Sequence, residues 1–251
     1  LDQLSDGRLD VGVGRGASPF ETAFFGVQPE HAVERYVEAL QILRQGLASD
    51  QLNHCGRHFN YQDVPLPLRP RQAHIPFWAA PVTPEAQAHA ARAGMNIMVL
   101  GSTDRVREIC AGYREQWQQS RAERLREQGA DDEPLIGAYR MVVVARTSRQ
   151  AEALARPAFA MWFEHLALLW KKHQATTPFL RIGDFDSASA QGMVLSGSPA
   201  RVRDLLLAQQ ELCGFNYPVL QLAFGNLGHA AEMRSLALFA EHVLPALADL
   251  A

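Results

Sequence analysis

The stretch Leu9-Asp-Val-Gly-Val-Gly-Arg-Gly16 carries the residues best suited to hold an anion, an apolar β-branched run that ends in glycines around one arginine. Without a Cβ, Gly12, Gly14 and Gly16 let a ligand approach the backbone closely, and Arg15 adds a permanent charge with a planar fork of donors. The spacing G-x-G-x-G differs from the dinucleotide fingerprint G-x-G-x-x-G, which opens directly into a helix; here Ala17-Ser-Pro-Phe-Glu-Thr22 intervenes. Two readings of the segment stand side by side, an anion-binding loop and an ordinary core strand with its turn.

Other residues suggest related chemistry. Thr83-Pro-Glu85 and Ser198-Pro-Ala200 each put a capping hydroxyl before a proline at the first helical position. Free backbone N–H groups at such a helix start attract phosphate, which gives Thr83 a possible ligand role directly after Phe77-Trp-Ala-Ala80; a plain N-cap is the simpler reading. His54-Cys-Gly-Arg-His58 places three potential metal ligands within five residues, but a second cluster and the spacing of structural zinc sites are both missing, so no metal is expected. His165, His173 and His229 read as packed or solvated side chains. Cys55, Cys110 and Cys213 are far apart and odd in number, which excludes a disulfide framework and points to buried, reduced thiols.

The elements that must position these residues follow from periodicity. The 251 residues, 47% hydrophobic and 20% charged, are enough to bury one sizeable α/β core. The net charge of −3, with basic residues scattered among acids, argues against a nucleic-acid partner. No apolar run approaches the roughly 20 residues of a membrane span, so no membrane association and a cytoplasmic location are expected. Strand-like runs, five in number, are read at Leu9 to Gly14, Pro76 to Ala80, Asn96 to Gly101, Ile136 to Ala145 and Pro218 to Phe224. Helical runs alternate with them, as in parallel βα units. Two helical stripes are expected to face the sheet: Val33, Tyr36, Val37, Leu40, Leu43 and Leu47, and then Val106, Ile109, Cys110, Tyr113 and Trp117. Gln51 to His74 reads as an extended path, since the prolines of Val64-Pro-Leu-Pro-Leu-Arg-Pro70 bar a central strand. Residues 175–196 read as a polar, irregular insertion after an aromatic-rich helix at Phe159 to Trp170, a candidate lid.

Leu1 to Gly16, Phe24-Phe-Gly26, Glu34-Arg-Tyr-Val-Glu-Ala-Leu40, Pro76-Phe-Trp-Ala-Ala80 and Ser235-Leu-Ala-Leu-Phe-Ala-Glu-His-Val-Leu-Pro245 together resemble the bacterial-luciferase-like flavin-dependent monooxygenases. The resemblance covers nearly the whole chain. It implies a single domain, 1–251, forming the C-terminal portion of a (β/α)8 TIM barrel with about five of its eight strands, and roughly 100 further residues ahead of Leu1. An open doubly wound sheet of five strands is the structural alternative. The resemblance further implies reduced FMN as cofactor, O2 as co-substrate, a small organic substrate, a separate flavin reductase and a homodimer. By the same resemblance Arg15, with Gly14 and Gly16, holds the FMN phosphate. Arg35 is similar to a second phosphate ligand, though a helix-surface ion pair with a neighbouring glutamate fits it equally. Thr83 and Val82 occupy a turn that binds flavin in the family, where Pro81 and Val82 depart from a more polar pattern. The catalytic residues are left unknown, because the family's active-site histidine sits on an early strand. Other implied readings are a deazaflavin-dependent oxidoreductase and a non-catalytic flavin-binding subunit.

Overall fold

The computed structural model describes residues 1–128 and 133–248. The chain divides into two compact units, Leu1–Ala80 and Pro81–Ala251. Its strands are β1 (Val11–Gly12), β2 (Gln51–Cys55), β3 (Asn60–Pro65), β4 (Phe77–Ala79), β5 (Asn96–Val99), β6 (Ile136–Val144), β7 (Val194–Gly197) and β8 (Tyr217–Gln221). The helices are α1 (Asp2–Ser5), α2 (Pro19–Phe24), α3 (Ala32–Ala48), α4 (Pro84–Arg92), α5 (Thr103–Gln119), α6 (Arg121–Gln128), α7 (Ser148–Lys172), α8 (Phe185–Ala190), α9 (Pro199–Cys213), α10 (His229–His242) and α11 (Leu244–Ala248).

In the first unit β1 pairs in parallel with β4, Val11 opposite Phe77 and Gly12 opposite Trp78. The pairing continues past β1, where the Val13 amide donates to the Trp78 carbonyl at 2.9 Å. The expected extended path at Gln51 to His74 proves to be an antiparallel hairpin of β2 and β3, joined by a turn in which the Gly56 amide donates to the Phe59 carbonyl at 3.0 Å. The prolines restrict only its far end: Pro65 pairs with Gln51 as the last residue of β3, a position a proline tolerates on an edge. Cys55 is exposed in this hairpin, which corrects the expectation of three buried thiols; Cys110 and Cys213 are buried. The stripe on α3 is also less buried than its periodicity suggests. Only Leu40 is buried, while Val33 is 52% and Leu43 38% exposed. Within this unit α3 packs on β2 and on the helical turn Pro29–His31, and a two-stranded hairpin is too narrow to cover such a stripe.

Asp2 ties the start of the chain to the approach to β4. Its buried carboxylate accepts the Arg71 amide at 2.5 Å, the Gln72 amide at 2.9 Å and Gln72 Nε2 at 2.8 Å. Hydrogen bonding from the Gln72 amide outweighs desolvation and holds its carboxyl below the ordinary aspartate value. A depressed carboxyl contributes stability that is present above about pH 4 and is lost as pH falls through the lowered folded value. Asp2→Asn is therefore expected to unfold at lower urea than the wild type at pH 7, with the gap closing towards pH 3. A gap of constant size would show that the carboxylate charge is not what matters.

The second unit is organised on β6. Every residue of that strand is buried except half-buried Tyr139, as expected of a parallel strand covered on both faces. Its first residues pair with β5 (Ile136 to Ala138) and its last with β7 (Met141 to Val144); β8 runs along the opposite edge at Gly137 to Met141. All of these pairings are parallel. Alternation then sorts its side chains. Met141 and Val143 pack with Ala151, Ala155, Ala158 and Phe159 of α7, whereas Val142 and Val144 pack with Val202, Leu206 and Phe239 of α9 and α10.

Residues 175–196 depart from the irregular insertion expected of them. They include α8, capped by Asp184 and buried at Phe185 and Ala188, and most of β7, which is fully buried. Asp184 caps α8 and Asp186 and Ser187 face the surface, whereas Ser196 is buried within β7. The preceding helix is also longer than its aromatic stretch: α7 runs from Ser148 through Pro157 to Lys172. An interior proline costs on the order of 3 kcal/mol, which the burial of Ala151, Ala155, Ala158, Phe159 and Ala167 offsets.

Candidate functional site

The anion-binding candidates of the first unit sit just past β1. Gly14, Arg15 and Gly16 are all exposed, and among the described residues Arg15 has no hydrogen-bond or ion-pair partner. A Cβ built on Gly12 or Gly14 would meet no atom within 4 Å, so the backbone beside the guanidinium is open to a ligand. Gly16 takes φ +94°, a conformation that turns the chain towards α2 and that side-chain-bearing residues rarely adopt. Ser18, buried, then caps α2 by accepting the Glu21 amide at 3.4 Å. An unpartnered cation beside bare backbone is an arrangement suited to a phosphate.

Arg35 is placed differently. Neither reading of it from the sequence describes its observed partner: its guanidinium lies 4.9 Å from the centroid of the Phe59 ring on the hairpin. The neighbouring Glu34 pairs instead with Arg57 Nη1 at 2.8 Å and with His58 Nε2 at 3.2 Å. Arg35 is thus half-buried and engaged by a cation–π contact, which leaves it less available to an anion than Arg15.

Within the second unit Thr83 caps α4, its Oγ1 accepting the Ala86 amide at 3.3 Å. Hydrogen bonding from its own backbone amide, and then from the Thr83 hydroxyl, holds the Glu85 carboxyl below its ordinary value, so Thr83 serves Glu85 as well. Val82 is 57% exposed and its carbonyl accepts from Arg105 Nη2. Both residues remain at the surface, but part of their hydrogen-bonding capacity is already used inside the protein. Phe224, the last residue of the strand-like run read at Pro218 to Phe224, is buried among the α7 core residues.

Sequence reasoning passed over Arg140, hidden in the apolar run of β6. It is fully buried, with Nε donating to Gln209 Oε1 at 2.6 Å and Nη1 to the carbonyls of Tyr139 at 2.7 Å and Gly101 at 3.2 Å. Burial lowers its pKa to about 10, and the same cause pushes the nearby Cys110 thiol up to about 11. The Gly101 carbonyl lies just beyond the end of β5, so this arginine braces a strand end from inside the core.

The family model for luciferase-like monooxygenases matches residues 1–215. The chain belongs to that family. It is 36% identical over 228 residues to the protein y4wF of Sinorhizobium fredii (strain NBRC 101917 / NGR234), covering 90% of this chain and 65% of that one, less than two thirds of the relative's length. The solved structure of the monooxygenase RslO1 from Streptomyces bottropensis aligns with a TM-score of 0.79 at 25% identity, over 97% of this chain and 70% of the other. Two further structures share the fold at lower identity. The oxygenating constituent of 3,6-diketocamphane monooxygenase from the CAM plasmid of Pseudomonas putida, a complex with FMN, has a TM-score of 0.75 at 17% identity over 98% of this chain and 72% of that one. An F420-dependent secondary alcohol dehydrogenase in complex with an F420-acetone adduct has a TM-score of 0.71 at 18% identity over 98% and 71%. The fold is therefore the α/β class of the luciferase-like TIM barrels. Its parallel strands β1, β4, β5, β6 and β8 correspond to the five read from the sequence, and β7 is additional. No helix among the described residues is long and apolar enough to cross a membrane.

Proposed function

We propose that this protein is a flavin-dependent monooxygenase that uses reduced FMN and O2 to oxidise a small organic substrate. On this reading a separate flavin reductase supplies the reduced cofactor, and the enzyme works as a cytoplasmic homodimer. The observation that carries the proposal is the exposed Arg15, unpartnered among the described residues, beside the open backbone of Gly12 and Gly14 in a member of the luciferase-like monooxygenase family. The residues fit the cofactor: Arg15 would hold the FMN phosphate, and Gly14 and Gly16 would let that phosphate approach the main chain. Within the same unit Arg35 is a weaker candidate because Phe59 engages it; in the second unit Thr83 and the backbone of Val82, at the start of α4, are flavin-contact candidates in their own right. When bound, FMN supplies the redox chemistry with O2; the protein contributes binding, orientation and exclusion of water.

The F420-dependent neighbour keeps a deazaflavin reading in view, yet the structure matched at 25% identity is a monooxygenase. Parallel titrations with FMN and F420 in both redox states separate the two. Saturable binding of reduced FMN, with F420 binding at least about tenfold weaker, is the expected result; the opposite order would overturn the proposal. Tight FMN binding without reductase-linked O2 consumption over a panel of small organic substrates would favour a flavin-binding subunit that does not turn over.

A further inference from the structure

We propose that His31, Glu34 and His58 form a binding site for a divalent transition-metal ion of the zinc class, where the start of α3 meets the turn of the β2–β3 hairpin. Their ligand atoms all lie within 4.8 Å of one another. His58 Nε2 stands 3.2 Å from Glu34 Oε2, close to the roughly 3.3 Å between two ligand atoms on a tetrahedral ion with bonds of about 2.0–2.1 Å. The imidazoles of His31 and His58 have centroids 5.7 Å apart and are tilted by 55°, where two rings on one such ion would sit about 5 Å apart. A side-chain adjustment of about an ångström closes the set.

The surroundings support a held geometry. His31 and Glu34 are three residues apart at the start of α3, which puts them on one face. His58 arrives from the hairpin, and its position is fixed by Glu38, whose carboxylate accepts the His58 amide at 3.0 Å and the Phe59 amide at 2.9 Å. The His58 side chain is only 10% exposed. Among the described residues the His31 side chain has a ring contact with His58 but no hydrogen bond, so its ring nitrogens are available. The competitor is Arg57, whose Nη1 lies 2.8 Å from the same Glu34 oxygen; its side chain is 66% exposed and can swing into solvent at little cost. The neighbouring pair His54–Glu38, at 3.0 Å, gains no third donor among the described residues and makes an internal control.

Donor chemistry selects the ion. Two imidazoles and one carboxylate suit Zn2+ and its neighbours, whereas Mg2+ and Ca2+ prefer all-oxygen shells. Three protein ligands leave a coordination position for water, so the ion would be exchangeable and would cross-link α3 to the hairpin.

The test is calorimetric titration of Zn2+ into the whole protein, with thermal unfolding followed in parallel. One site per chain and a higher unfolding temperature with Zn2+ are expected, with no response to Mg2+. His31→Ala and His58→Ala should each weaken binding by more than the roughly 10–100-fold typical of outer-shell changes. Arg57→Ala should bind at least as tightly as the wild type, because it removes the competing cation. His54→Ala and Cys55→Ala should leave the affinity within about threefold. Absence of Zn2+ binding, unchanged affinity in folded His31→Ala and His58→Ala, or loss of binding in Cys55→Ala through the exposed thiol would each overturn the assignment.

Discussion

Replacing Arg15 with alanine is expected to weaken FMN binding by roughly 10- to 150-fold, the loss of hydrogen bonds from a charged donor worth about 1.5–3 kcal/mol. The argument rests on what the side chain does without ligand, which is nothing structural: it is exposed and unpartnered among the described residues. The unfolding temperature of the apoprotein should therefore stay within about 1 °C of the wild type, a change typical of a neutral surface substitution. Arg15→Lys should fall between the two, since lysine keeps the charge and loses the bidentate fork. An exposed phosphate contact is screened by ions, so the difference between wild type and Arg15→Ala should shrink as salt is raised from about 0.05 to 0.5 M. Arg35→Ala should cost less affinity than Arg15→Ala, because Arg35 already stacks on Phe59. Flavin fluorescence titration of the folded variants settles the matter. Equal affinity in Arg15→Ala and wild type would remove Arg15 from the phosphate site.

The largest stability effect is expected at Gly225→Ala. Gly225 lies at φ +58°, and a Cβ there would stand 1.9 Å from the Ala158 carbonyl oxygen and 2.6 Å from its carbon. Those are main-chain atoms of α7, so no side-chain rotation relieves the clash. Left-handed backbone strain of about 1–2 kcal/mol adds to the roughly 1–3 kcal/mol typical of overpacking, for a total of about 3 kcal/mol or more. For a chain of this size that corresponds to a fall in unfolding temperature of roughly 6–12 °C. Gly228→Ala is the matched control, since a Cβ there meets nothing within 4 Å and φ is −70°. A Gly225→Ala protein melting within about 2 °C of the wild type would mean that α7 and the end of β8 approach less closely than the structure shows.

The two positions differ in how well the sequence announced them. Gly14-Arg15-Gly16 stands out in the sequence as glycines around an arginine after a β-branched run, a pattern that fits an anion-binding loop as well as an ordinary strand with its turn. Gly225 follows the strand-like run Pro218 to Phe224, and nothing in its spacing marks it. What makes it irreplaceable is a helix some seventy residues earlier in the chain, brought against it by folding. The same division runs through the fold. β5, β6 and the buried stripe Val106, Ile109, Cys110, Tyr113 and Trp117 were legible because apolar period alone encodes them. The strand β7 was missed because four residues inside a serine-rich stretch carry too little period to register. The β2–β3 hairpin was obscured by the prolines that follow it, although the turn Gly56-Arg57-His58 was a usable signal.

By itself the sequence determined the α/β class, the order of most strands and helices and the cationic strand end at Arg15, because these are written in local spacing and residue type, while the family showed only through its resemblance to known segments. Only the tertiary structure decided which polar side chains meet. It buried Arg140 against Gln209 and the Gly101 carbonyl, moved Arg35 onto Phe59 rather than onto a glutamate, and drew His31, Glu34 and His58 from two elements into one cluster. The reason is physical: a helical or strand pattern is enforced by backbone hydrogen bonds between near neighbours, whereas the meeting of side chains far apart in the chain depends on how whole elements pack.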